Sequence, residues 1–164
     1  MLTVGRHRKH VPARRGKRVG ETAVVAASAL IFGTCLVSIP AQASVTPGNA
    51  ALNWEETHAA GCWYNYGGTS CAQGYDCSGV VYEAFLHLGI NLGRSTYDML
   101  RSPHLVRIPV GDAQRGDLLF YGTGHVEIKT RWWHTSYGAH DWGTRVGYAQ
   151  WNSYWAPTMA FRVH

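Results

Sequence analysis

The chain has 164 residues, of which 46% are hydrophobic, and a formal net charge of +5. Seven of its 15 lysines and arginines lie within the first 18 residues, whereas residues 44–164 hold eight basic and nine acidic side chains. The positive charge therefore belongs to the N-terminus, and the rest of the chain has no charge excess that would indicate a nucleic-acid or anionic membrane partner.

Residues 1–43 have the pattern of a secretory signal peptide. The basic stretch precedes an apolar run from Ala23 to Ile39, and Pro40 then leads into the A-x-A motif of residues 41–43. The run is at the short limit for a membrane-spanning helix and contains glycine and serine. We expect cleavage after Ala43 rather than a membrane anchor, and a product that is secreted or held in the cell wall without stable membrane association.

The remainder is long enough for one domain with a core and leaves no room for a second one. The small and polar residues 44–51 predict a flexible lead-in, and residues 52–164 predict the folded domain. A short helix is expected at Leu52–Gly61.

Three cysteines remain after the signal peptide: Cys62, Cys71 and Cys77. An odd number in an exported protein leaves one thiol unpaired. Cys62 and Cys71 flank a glycine-rich turn segment and are the natural disulfide pair, although two independent thiols are the alternative. The pairing predicts Cys77 as the free thiol.

The elements that follow are first helical and then extended. Apolar residues at helical spacing, with Val81 and Phe85 among them, predict a helix from Cys77 to Gly89, and a shorter helix is expected at Thr96–Ser102. Apolar runs and alternation then predict five strands at residues 117–121, 125–130, 135–140, 145–149 and 157–163. Helices that precede an antiparallel sheet indicate an α+β fold with N-terminal helices packed on the sheet.

Thiol catalysis needs a cysteine at the start of a helix with a histidine nearby, and here a histidine stands at the start of a predicted strand. A thiolate forms most readily near a helix N-terminus and beside an imidazole. Cys77 is therefore the candidate nucleophile and His125 the candidate general base. The alternatives are a buried core thiol and a solvent-facing histidine. Asp76 is expected to turn away from the thiol and either cap the helix or contact substrate.

Two histidines compete to orient the imidazole of His125. If residues 131–134 form a four-residue hairpin loop, Thr130 faces Thr135 and His125 faces His140, whereas His134 lies at the tip. We therefore predict His140 as the third catalytic residue, with a surface histidine as the alternative. The H-x-E pattern of residues 125–127 is typical of zinc deaminases, but no P-C-x-x-C follows, and neither metal nor another cofactor is expected.

Five segments in order resemble the NlpC/P60 family of cell-wall cysteine peptidases: YNYGGT (64–69), YDCSG (75–79), RSTYD (94–98), RGDLLF (115–120) and GHV (124–126). The resemblance spans about residues 52–163. It departs from the family where Trp63 replaces a usual proline and where the hairpin after His125 is longer than usual. It implies a papain-like core and hydrolysis of the stem-peptide bond between D-glutamate and a diamino acid.

The family also suggests roles for other side chains. Its third catalytic residue is commonly a histidine, asparagine or glutamine on the neighbouring strand, which fits His140. Tyr64 occupies the family's tyrosine position and is a candidate oxyanion donor beside the Cys77 backbone N–H. Ser78 and Asp76 are candidates for lining the substrate cleft. An aromatic loop residue and an ordinary first-turn serine are the alternatives for Tyr64 and Ser78.

The sequence thus predicts a secreted, monomeric cysteine endopeptidase whose substrate is peptidoglycan. A non-catalytic wall-binding module on the same fold is the main alternative, because Trp132, Trp133, Trp151 and Trp155 could stack on sugar rings. An amidase, an acyl transferase or an antibacterial toxin would use the same catalytic residues on another amide.

Overall fold

The structure is a computed structural model that describes residues 45–164, so the predicted signal peptide and its cleavage site lie outside the described residues. Its helices are α1 (Pro47–Trp54), α2 (Cys77–Leu86) and α3 (Thr96–Met99), with a π-helical turn at Glu55–Ala59 and a 3-10 turn at Val110–Asp112. Its strands are β1 (Thr69–Ser70), β2 (Gly74–Tyr75), β3 (Leu105–Ile108), β4 (Leu118–Tyr121), β5 (His125–Lys129), β6 (Thr135–Gly138), β7 (Gly147–Gln150) and β8 (Met159–Val163).

The predicted flexible lead-in is wrong for residues 47–51, which form the first turns of α1. Thr46 caps this helix by accepting a hydrogen bond from the backbone N–H of Asn49, and Pro47 stands in the first turn, where its fixed φ suits a helix. Ala51 and Leu52 are fully buried. The folded domain therefore begins before residue 52, and the helix predicted at 52–61 starts five residues earlier than expected.

Six strands form one antiparallel sheet in the order β3-β8-β4-β5-β6-β7, and β1 pairs with β2 in a separate two-stranded ribbon. The α+β prediction is confirmed. The edge strand β3 was not predicted, since Val106 and Arg107 are both exposed there and show no alternation, and neither were the two-residue strands β1 and β2. The five predicted strands lie within two residues of their predicted bounds.

The two sides of the sheet have different partners. Val80, Val81 and Phe85 of α2 belong to one buried cluster with Phe120 and Val126. Residues on β5 alternate between sides, so His125 and Glu127 face away from that cluster, opposite Tyr121 and Leu119 of β4. His125 and Glu127 thus lie on the second face of the sheet, the one that does not pack against α2.

Helix α2 ends as its sequence predicts, with Gly89 at φ +78° shortly after its last turn. Cys62 and Cys71 form the predicted disulfide, with their Cα atoms 5.1 Å apart, and Cys77 is a free, buried thiol. Among residues 45–164, no helix is both long enough and apolar enough to cross a membrane.

Candidate active site

Cys77 begins α2 because Asp76 caps the helix. The Asp76 carboxylate accepts hydrogen bonds from the backbone N–H of Gly79 at 2.6 Å and of Gly67 at 2.7 Å. It also forms an ion pair with Arg94 at 2.9 Å. The carboxylate therefore turns away from the thiol, as expected, and its negative charge is balanced by a guanidinium.

The glycine-rich segment packs directly on the first turn of α2. A Cβ atom on Gly79 would lie 2.1 Å from the carbonyl oxygen of Gly68, so only glycine fits at this position of the C-S-G motif. The Ser78 hydroxyl accepts a hydrogen bond from Arg94 at 3.0 Å. Asp76 and Ser78 thus both support the start of α2, and their role in lining the substrate cleft stays a prediction.

The hairpin register agrees with the sequence prediction. Lys129 pairs with Ser136, and the backbone N–H of Thr130 donates to the carbonyl of Thr135 at 3.1 Å. This register places His140 across from His125, on the same face of the sheet. His134 stands at the hairpin tip with φ +50°, exposed and stacked on a tryptophan.

The direct partner of His125 is Glu127, a residue that the sequence analysis did not assign. Glu127 Oε1 accepts from His125 Nε2 at 2.8 Å and also from His140 Nδ1. Its Oε2 accepts from the hydroxyls of Ser136 and Tyr121. Residues two apart on a strand share a face, so the alternation of β5 already placed this carboxylate beside His125.

Glu127 remains ionised although it is almost fully buried. Burial by itself raises the pKa of its carboxyl, but hydrogen bonds from His125 and His140, together with the charges of both rings, hold that pKa at about 2. The two nitrogens of His140 face acceptors, since Nε2 lies 3.0 Å from the carbonyl oxygen of Gly147. These two contacts fix the orientation of the His140 ring beside the carboxylate.

His125 is held as an acid over a wide pH range. Burial lowers its pKa, but hydrogen bonds to Cys77 and Glu127 and their negative charges outweigh burial and raise the pKa to about 9. Because Nε2 is taken by Glu127, Nδ1 is the ring nitrogen left for the thiol. Cys77 Sγ also lies 3.9 Å from the carbonyl oxygen of Gly124, directly before His125.

Tyr64 lies close enough to Cys77 to be affected by its charge. Burial, followed by the charges of Cys77 and Asp76, raises the pKa of the Tyr64 hydroxyl to about 12. The hydroxyl therefore stays protonated and can donate a hydrogen bond at neutral pH. Its ring meets Trp142 edge-on, with centroids 5.5 Å apart. Together with the free N–H groups in the first turn of α2, it can supply donors for an oxyanion.

Trp155 covers His125 from the solvent side. Its ring stacks on Tyr121 at 5.0 Å and 12°, and meets the His125 ring edge-on at 5.6 Å. From its sequence context, Trp155 is predicted only as a candidate for stacking on a sugar ring. Its position depends on the path of the loop between β7 and β8, for which the sequence carries no periodic signal.

His125, Glu127 and His140 offer nitrogen and oxygen atoms that all lie within 4.8 Å of one another, a donor set that could hold a divalent cation. The same atoms already hydrogen-bond one another. The three side chains therefore form a hydrogen-bonded series that can orient the imidazole of His125 and stabilise its proton.

Comparison with known proteins gives a family match across most of the domain. A sequence model described as the NlpC/P60 family matches residues 61–158. Over 51 residues, or 31% of this chain, the sequence is 41% identical to peptidoglycan endopeptidase RipB of Mycobacterium tuberculosis. That match covers 20% of RipB, so this chain corresponds to a small part of its relative.

Solved structures have the same fold. RipB from Mycobacterium tuberculosis superposes with a TM-score of 0.62 at 23% identity, over 72% of this chain and 65% of that one. The NlpC/p60 domain of peptidoglycan hydrolase SagA gives 0.60 at 29% identity, over 69% and 96% of the two chains. An NLP/P60 family protein from Staphylococcus aureus, described as similar to lipoprotein, gives 0.59 at 26% identity, over 71% and 41%.

Proposed function

This chain belongs to the NlpC/P60 family, and we propose that it is a secreted cysteine endopeptidase that hydrolyses the stem peptides of peptidoglycan. The observation that carries the proposal is the placement of Cys77 Sγ 3.9 Å from the carbonyl oxygen of Gly124, next to His125, whose Nε2 is hydrogen-bonded to the ionised Glu127. Its relatives include an endopeptidase and a hydrolase of peptidoglycan. The signal-peptide pattern supports secretion, with Ser44 as the first residue of the mature protein.

In the proposed reaction, His125 has taken the proton of Cys77 before substrate binds, because its pKa of about 9 keeps it an imidazolium at neutral pH, and the thiolate then attacks the carbonyl carbon of the scissile amide. The Cys77 backbone N–H and the Tyr64 hydroxyl stabilise the negative oxygen of the tetrahedral intermediate. Collapse of the intermediate breaks the C–N bond, and the His125 imidazolium gives its proton to the leaving amine. Water then hydrolyses the thioester and regenerates the thiol.

Glu127 and His140 act through His125. The carboxylate fixes the ring orientation and the tautomer of His125 and stabilises its positive charge, and His140 fixes the carboxylate. This assigns the third position of the site to Glu127, with His140 behind it. The bond that we propose is the one between D-glutamate and a diamino acid, because the family resemblance implies it.

The convergence of His125, Glu127 and His140 favours one competing function, a metal-dependent hydrolase that uses the same site. The two mechanisms respond differently to reagents. Iodoacetamide applied to the native protein should label Cys77 alone and stop hydrolysis of purified peptidoglycan, whereas EDTA should have no effect. Activity that survives alkylation but is lost to EDTA and restored by Zn²⁺ would establish the metal mechanism instead.

A further inference from the structure

A cavity of about 450 Å³ opens at the far end of β5 from His125. It is lined by residues 110, 111 and 113–115 of the loop before β4, by the end of β5 with the hairpin that follows, and by Trp151. Lys129 shares the face of β5 that carries His125, and four extended residues separate the two Cα atoms by about 13 Å. The cavity and the catalytic residues therefore lie along one surface but share no side chain.

One wall of the cavity is a row of aromatic rings. Trp133 stacks on His134 at 4.8 Å and 21°, and His134 meets Trp151 at 5.5 Å. The backbone N–H of Trp151 donates to the carbonyl of His134 at 3.0 Å, which ties the hairpin tip to the end of β7. Trp133 is nevertheless 81% exposed. A fixed, exposed aromatic face next to a cavity is suited to stacking on a sugar ring.

The other wall is cationic, and no acidic side chain lines the cavity. Lys129 is 8% exposed, and its ammonium donates to the backbone carbonyls of Thr130 and Trp132. It forms no ion pair with any carboxylate in the described part of the chain. Burial lowers the pKa of Lys129 without a neighbouring negative charge to offset it. A buried ammonium without a counter-ion is costly, and an anion in the cavity would remove that cost.

The two arginines at the cavity differ in how far they are already engaged. Arg115 forms an ion pair with Glu56 at 3.3 Å and donates a hydrogen bond to the side chain of Asn49 at 2.8 Å. Arg131 stands over the ring of Trp132 at 4.7 Å and has no carboxylate partner among residues 45–164. Arg131 and Lys129 are thus the cations available to a ligand.

We propose that this cavity binds a sugar ring that carries an acidic substituent, with the ring against Trp133 and Trp151 and the acidic group as the counter-ion of Lys129 and Arg131. Choosing a cell-wall saccharide rests on the proposed function, but the site itself uses neither Cys77 nor His125. A glycan held here would keep an attached peptide along the sheet face that leads to His125, so that wall binding and cleavage act on one substrate.

The test is isothermal titration calorimetry with the disaccharide N-acetylglucosaminyl-N-acetylmuramic acid, which has a free lactyl carboxylate. N,N′-diacetylchitobiose is its neutral counterpart, because it lacks only the lactyl group. We expect the acidic disaccharide to bind at least about tenfold more tightly. N-acetylglucosamine 6-phosphate, compared with N-acetylglucosamine, shows whether phosphate replaces the carboxylate. Equal affinity for acidic and neutral sugars in both pairs, or no binding at all, overturns the proposal.

Substitutions of two exposed residues of the cavity test where the disaccharide binds. Arg131→Ala and Trp133→Ala should each weaken binding of the acidic disaccharide about tenfold. Arg101→Ala, which removes an exposed arginine outside the cavity, should leave the affinity unchanged. Lys129→Met should weaken binding further, with folding checked by circular dichroism because Lys129 is buried. Unchanged affinity in both Arg131→Ala and Trp133→Ala overturns the assignment of the cavity.

Binding and hydrolysis are measured separately on the unaltered protein, which separates the two proposals. Wall hydrolysis without disaccharide binding refutes the second site alone. Disaccharide binding without wall hydrolysis refutes the catalytic proposal alone and leaves the saccharide site standing.

Discussion

At the scale of single residues, the electrostatics of the site depend on Glu127. It accepts hydrogen bonds from two histidines and two hydroxyls, so its negative charge persists in a buried position. That charge and its hydrogen bond contribute to holding the pKa of His125 near 9. The imidazolium therefore remains available at neutral pH to protonate a leaving amine.

Glu127→Gln should lower the activity and shift its pH dependence. Without the carboxylate, the pKa of His125 falls from about 9 toward its usual value of 6.5. The alkaline limb of kcat/KM should accordingly move to lower pH, and the rate at neutral pH should fall about 100-fold.

The matched control is Glu83→Gln on α2, since Glu83 makes no ion pair in the described residues. It should leave the profile unchanged. An unshifted alkaline limb in Glu127→Gln would show that the carboxylate does not control His125.

Trp155→Ala should lower kcat about tenfold with little change in KM, because loss of the covering ring admits water to the His125–Glu127 hydrogen bond. Trp155→Phe should restore most of the rate. Tyr154→Ala removes a side chain that is 97% exposed and should have no effect. Steady-state kinetics on a soluble stem peptide make the comparison, and a change in KM alone would assign Trp155 to substrate binding.

At the scale of elements, the start of α2 depends on its contact with the glycine-rich segment. Gly79→Ala would place a Cβ atom 2.1 Å from the Gly68 carbonyl oxygen. We expect a loss of about 1–3 kcal/mol in the free energy of unfolding and a lower kcat, because Cys77 lies in the same turn. Gly111→Ala is the control, since its Cβ meets no atom within 4 Å. Urea denaturation measures both variants, and equal stability would contradict the packing argument.

The disulfide stabilises that same segment. Closing the loop between Cys62 and Cys71, nine residues apart, restricts the unfolded chain by about 2–3 kcal/mol. The double variant Cys62→Ser/Cys71→Ser should therefore melt about 10 °C lower than the parent in calorimetry. Treatment with dithiothreitol should lower the melting temperature of the parent but not of the double variant. An unchanged melting temperature after reduction of the parent would mean that the bridge adds no stability.

Elements with a strong local pattern were predictable from the sequence, and those that depend on tertiary contacts were not. The apolar spacing after Cys77 gives α2, and the four-residue loop after Thr130 gives the register that places His140. By contrast, the first turn of α1 has a composition typical of a linker. It is helical because Ala51 and Leu52 are buried in the core of the domain. Glu127 is the last residue of the H-x-E pattern. Its contact with His125 arises because both side chains lie on one face of β5.

At the scale of the whole molecule, the two faces of the sheet have different partners. One face packs against α2, which carries Cys77 at its start, and the other face carries His125 and Glu127 at one end of β5 and the aromatic, cationic cavity at the other end. This division follows from strict alternation along β5. It separates the proposed catalytic histidine from the proposed saccharide site by the length of one strand.

The most direct test of the proposed cysteine peptidase is mass spectrometry of fragments released from purified peptidoglycan. The unaltered protein should release fragments that end at D-glutamate, together with fragments that begin at the diamino acid. Cys77→Ala, with its folding confirmed by circular dichroism, should release neither. Release of the same fragments by Cys77→Ala would contradict the account, because the nucleophile would then have to be another group.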